Sequence, residues 1–85
     1  MKSFCYTVID ELGLHARPAG FLAKEAAKYK SSVHVSKNGK KADCTRLFSL
    51  MGLAVKQGEI ITFMIDGEDE EEACAALEAF CRNNL

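Results

Sequence analysis

Tryptophan is absent, proline occurs once and histidine twice. Neither sign of charge predominates: eleven Lys and Arg stand against twelve Asp and Glu, a formal net charge of -1. That balance removes the bulk electrostatic case for binding nucleic acid or an anionic membrane. No apolar run approaches bilayer-spanning length and no secretory h-region follows Met1, so a cytoplasmic location is expected. Cys5, Cys44, Cys74 and Cys81 include no C-x-x-C pair, so zinc and dithiol redox chemistry lack their usual spacing. Cys74 and Cys81 fall in one predicted helix, about 10 Å apart along its axis, too far for a disulfide. The cysteines read as small buried or half-buried hydrophobes. Eighty-five residues predict one domain, 1–85, with a small core and no spacious enclosed site. Chemistry is expected near the surface.

What is present is patterned. Residues 3–9 are aromatic and β-branched, with Phe4, Tyr6 and Val8 alternating on one face, a half-buried strand. A helix is predicted from Ala16 to about Tyr29, with Pro18 in its first turn, where a missing N–H costs nothing. Pro18, Ala19, Leu22, Ala26 and Tyr29 share its apolar stripe, and Phe21 falls outside it. Residues 32–37 alternate again, Asn38-Gly39 signals a two-residue hairpin, and Lys40 to Asp43 form a polar returning edge strand. On a helical wheel, residues 47–54 present two apolar faces: Leu50, Leu53 and Ala54, then Leu47, Phe48 and Met51. A surface helix needs only one for its core. Ile61, Phe63 and Ile65 mark the inner face of a further strand. The last helix starts in the acidic run Glu68 to Glu72, which suits the positive end of its dipole, with Ala73, Leu77 and Phe80 as its core stripe. The order β-α-β-β-α-β-α, with alternating strand faces, predicts an α+β two-layer open-faced β-sandwich. It has a four-stranded antiparallel sheet and three helices on one face.

The chemistry concentrates in Gly13-Leu14-His15-Ala16-Arg17-Pro18-Ala19. Pro18 fixes an early helical position, which puts His15 at or near the N-cap. The N–H groups of Ala16 and Arg17 then have no intrahelical partner. They face whatever His15 carries, at a helix end that favours an anion. The Arg17 guanidinium can clasp phosphate oxygens with two parallel bonds. Both the helix end and Arg17 oppose a second proton on the imidazole, leaving a nucleophilic ring. The same donors would stabilise a phosphoryl group arriving there. His34, the other histidine, sits in mid-strand without ligand spacing. No metal and no cofactor is expected. Asp10 and Glu11 precede the motif and read as solvated loop residues.

The motif resembles the active-site sequence of the histidine-containing phosphocarrier (HPr) family of the bacterial phosphoenolpyruvate-dependent sugar phosphotransferase system. Asn38-Gly39-Lys40 resembles that family's hairpin; Leu47-Phe48-Ser49-Leu50-Met51-Gly52 and Gln57-Gly58 resemble its second helix and following loop. The resemblance implies that enzyme I, charged by phosphoenolpyruvate, passes a phosphoryl group to Nδ1 of His15, and that enzyme IIA domains receive it for sugar uptake. It implies that Arg17 neutralises phosphate charge. It also implies that Leu47, Phe48 and Met51 dock both partners, with Gly20, Phe21 and Arg46 beside them. A monomeric covalent carrier, rather than an autonomous enzyme, is expected. Many Gram-positive members have a regulatory serine where this chain has Arg46, with Thr45 before it and Ser49 one turn later. Serine-type regulation is therefore expected to be absent or altered. The alternative is a regulatory binding module, or a specialised paralogue outside sugar transport.

Overall fold

The computed structural model describes all 85 residues. The elements run β1 (Lys2–Thr7), α1 (Ala16–Ala27), β2 (Ser32–Lys37), β3 (Lys40–Asp43), α2 (Leu47–Gly52), β4 (Ile60–Asp66) and α3 (Glu70–Asn84). The four strands form one antiparallel sheet in the order β1-β4-β2-β3. This is the predicted two-layer α+β architecture.

Alternation decides which face is covered. Val33 and Val35 of β2, Ala42 of β3, and Ile61, Phe63 and Ile65 of β4 are buried under the helices. Phe4 pairs across the strands with Phe63, and their rings stack at 4.6 Å between centroids. That adds to what their burial alone contributes. Their neighbours on the open face, Cys5 and Thr62, stand opposite each other, with Sγ 3.4 Å from Oγ1. Asn38 and Gly39 have φ of 50° and 84°, the two left-handed positions of a type I′ hairpin turn.

α1 buries Pro18, Ala19, Leu22, Ala23 and Ala26 and ends at Ala27, two residues before the predicted limit. α3 buries Ala73, Leu77 and Cys81. Cys81, not Phe80, completes its core stripe; Phe80 only borders the core. Its N-cap is Asp69, whose carboxylate accepts the N–H of Lys30 and of Ser31 at 2.9 Å and the Ser31 hydroxyl at 2.5 Å. α3 is thereby tied to the chain entering β2. Cys44 and Cys81 are fully buried, Cys74 is half-buried and Cys5 is exposed. Burial pushes the Cys44 and Cys81 thiols up to about 12, so they remain protonated hydrophobes. Cys5 departs from the sequence expectation of burial, because its β1 position faces the uncovered side.

α2 stops at Gly52. Ala54, predicted on the helix's inner face, is exposed and left-handed, with φ of 52°. Lys37 braces this turn: its Nζ donates to Ala54 O at 2.9 Å and to Glu59 Oε1 at 3.1 Å. Leu50 and Leu53 fill the core as expected.

Candidate functional site

The site begins with a loop that the rest of the fold holds from three sides. The amides of Ile9 and Asp10 both donate to Leu85 O, at 2.7 and 2.8 Å. Asp10 Oδ1 accepts the Leu12 N–H at 2.9 Å, and its carbonyl accepts that of Gly13, an Asx-type turn. Gly13 adopts φ of 67° and is packed against the backbone of Val55, whose carbonyl takes the Leu14 N–H at 3.1 Å. Leu14 is buried. The chain therefore arrives at His15 fixed rather than free.

His15 is the N-cap of α1, with extended φ and ψ of -91° and -178°, and its side chain does not cap the helix. Its carbonyl accepts the Ala19 N–H at 3.0 Å. Pro18 offers no N–H, so Ala16 and Arg17 carry the unpaired donors of the first turn. The imidazole is half-exposed. His15, Arg17, Pro18 and Phe21 line one shallow cleft of about 230 Å³ with Asp10 and Asn84. A larger hollow of about 480 Å³ adjoins it, sharing Asp10 and Asn84, but lacks the imidazole.

Sequence reasoning missed two of these residues. Asp10, read as a solvated loop residue, has Oδ2 3.9 Å from His15 Nε2. The spacing D-x-x-G before the histidine is the one local sign of its turn. Asn84 reaches the cleft from the far end of α3, and its amide nitrogen donates to Phe80 O at 3.0 Å. Nothing local in the sequence signals that placement. With Asp10 on the Nε2 side, Nδ1 is the ring nitrogen without a carboxylate beside it.

The residues expected to dock partners lie on α1 and α2, which pack against each other. Phe21, Phe48 and Met51 are exposed, Phe48 by 84%. Leu47 and Gly20 are half-buried, and nothing lies within 4 Å of a Cβ added at Gly20. Arg46 is the exposed N-cap of α2, with Nε 3.9 Å from Asp43 Oδ2. The Asp43 carboxyl is held below its usual range, chiefly by the N–H and hydroxyl of Thr45. Phe21, Phe48 and Met51 thus place three apolar side chains at the surface of these two helices.

The family described as the PTS HPr component phosphorylation site matches residues 2–83. The chain belongs to the HPr family. It is 44% identical over 77 residues to the phosphocarrier protein HPr of Lysinibacillus sphaericus, covering 91% of this chain and 88% of that one. The structure matches the histidine-containing phosphocarrier protein of Mycoplasma with a TM-score of 0.94 at 35% identity, over 96% of this chain and 93% of the other. It also matches Crh, the Bacillus subtilis catabolite repression protein solved as a swapped dimer, with a TM-score of 0.78 at 38% identity, over 89% and 87%. HPr membership brings partners among the enzymes of the phosphotransferase system. No helix is long and apolar enough to cross a membrane. No three His, Cys, Asp or Glu side chains are grouped to hold a metal ion.

Proposed function

We propose that this HPr protein carries a phosphoryl group on Nδ1 of His15, taken from enzyme I charged by phosphoenolpyruvate and passed to enzyme IIA domains for sugar uptake. The observation that carries the reading is the half-exposed imidazole at a helix N-terminus, in a cleft that Arg17 and Pro18 also line, with the amides of Ala16 and Arg17 left without a hydrogen-bond partner. A phosphoryl group on Nδ1 would meet those amides and the Arg17 guanidinium, which stabilise its charge. Pro18 starts the helix without competing as a donor. Partners dock on Gly20, Phe21, Arg46, Leu47, Phe48 and Met51, and Met51 suits a face that must fit several surfaces. The protein works as a monomer, a single HPr domain over 1–85, in the cytoplasm. With Arg46 at the α2 N-cap, serine-type regulation is absent or altered.

The experiment is labelling with purified enzyme I, magnesium and phosphoenolpyruvate. Wild type gains an acid-labile phosphate and His15→Ala gains none. Equal labelling of His15→Ala would refute the reading.

Arg46 favours a second reading. An exposed guanidinium beside the apolar docking face suits an acidic partner, as in a regulatory binding module or a paralogue specialised outside sugar transport. Sustained turnover with a sugar-specific acceptor supports transport; labelling without onward transfer supports the module.

A further inference from the structure

We propose that Asp10 is a positioning residue that directs phosphoryl chemistry to Nδ1 of His15 and favours the positive charge the ring carries as the N–P bond forms and breaks. The inference rests on the carrier reading above. The Asp10 carboxylate is held through one oxygen: Oδ1 accepts the Leu12 N–H at 2.9 Å, which leaves Oδ2 facing the ring, 3.9 Å from His15 Nε2. Its own N–H is held by Leu85 O at 2.8 Å. The side chain is about two-thirds buried, at 32% exposure, and the ring is similar at 35%, so screening by water is incomplete.

The remaining groups around the ring act differently. On α1, Arg17 brings positive charge to the same cleft; from α3, the lining residue is the neutral Asn84. Glu11, Arg82 and Leu85 line the adjoining hollow, which shares Asp10 and Asn84 with the cleft but not the ring. Asp10 is therefore the one carboxylate lining the cleft.

The chemistry needs such a charge. A neutral ring that attacks through Nδ1 carries its proton on Nε2. When Nδ1 bonds to phosphorus, the donor's bond to phosphorus breaks and its electron pair leaves with the donor. The ring, with phosphorus on Nδ1 and hydrogen on Nε2, is then cationic. In the reverse step the electron pair of the Nδ1–P bond returns to Nδ1, and the acceptor's nucleophile bonds to phosphorus. If Nε2 keeps its proton, the leaving group is neutral imidazole; without it, imidazolate would have to leave. A carboxylate beside Nε2 favours the protonated, more reactive form in both directions.

Asp10→Asn removes the charge and keeps an oxygen for the Leu12 N–H. The test measures spontaneous loss of phosphate from phosphorylated wild type and Asp10→Asn as a function of pH. Water is then the acceptor: its oxygen bonds to phosphorus and its proton goes to solvent. Loss should slow as pH rises and Nε2 deprotonates. In Asp10→Asn that fall should come roughly half to one pH unit lower, with about threefold to tenfold slower loss at neutral pH. Asp10→Glu, which keeps the charge, should lie closer to wild type than Asp10→Asn. Superimposable wild-type and Asp10→Asn profiles in folded protein overturn the proposal and leave the carrier reading intact. A wild type that never takes up phosphate overturns both.

Discussion

Gly13 lies against the backbone of Val55 so closely that a Cβ on Gly13 would collide with the Val55 carbonyl oxygen. Its φ of 67° is also one that side chains disfavour. Gly13→Ala is expected to lose at least about 2 kcal/mol of stability. Gly20→Ala has open space around the added methyl. In mid-helix it should be neutral or gain about 0.5–1 kcal/mol. Urea denaturation midpoints of the two variants should move in opposite directions, or at least differ by the full Gly13 loss.

Ala54 occupies the left-handed region without being glycine. The strain is worth about 1–2 kcal/mol, partly offset by the extra freedom that glycine gives the unfolded chain. Ala54→Gly should therefore raise stability by a few tenths to about 1 kcal/mol, read as a higher thermal midpoint.

Arg17 is exposed at the rim of the cleft. Arg17→Ala should keep the thermal midpoint within experimental scatter. Phosphoryl transfer should slow by roughly 10- to 100-fold, as expected for one lost charge-assisted contact. A variant that unfolds would instead make Arg17 part of the scaffold.

Phe48 is the most exposed large side chain on α2. Phe48→Ala should change stability by less than about 0.5 kcal/mol. It should also weaken enzyme I binding by at least about 5-fold if the ring is an anchor of the docking face. Titration calorimetry reads the second effect, and thermal unfolding reads the first.

Acid should destabilise the fold through four carboxylates held below their ordinary values of 3.8 for Asp and 4.5 for Glu. Asp43 is lowered first by the Thr45 N–H, Glu59 by that of Lys56, Asp69 by the Ser31 hydroxyl and Glu70 by the terminal amine. A carboxyl depressed in the folded state contributes its stability in full above the ordinary value. That contribution is lost as pH falls through the folded one. The thermal midpoint should therefore drop as pH falls below about 4, and Asp69→Asn should make that drop shallower.

Strand faces were legible because a two-fold alternation admits one buried side: Ile61, Phe63 and Ile65 could not be moved outward together. Asn38-Gly39 and Pro18 were legible because each restricts φ by its own chemistry. The ambiguities arose where helical geometry leaves near-equal choices. Phe80 and Cys81 both lie on Leu77's side of α3, and the smaller thiol took the enclosed place. Ala54 gave no warning, since no glycine marks its left-handed turn, and the Lys37 bond to its carbonyl comes from a distant strand. At the site, His15, Arg17 and Pro18 share seven residues and could be read together. Asp10 and Asn84 meet only because α3 folds back onto the loop, which no local spacing records.

The paired grip of Leu85 on the amides of Ile9 and Asp10 has a mechanical side. The segment delivering the reactive ring is coupled to the last turn of α3 at least as directly as to β1. Loosening that turn should quicken deuterium uptake at these two amides and let the imidazole wander, even with every residue of the motif unchanged.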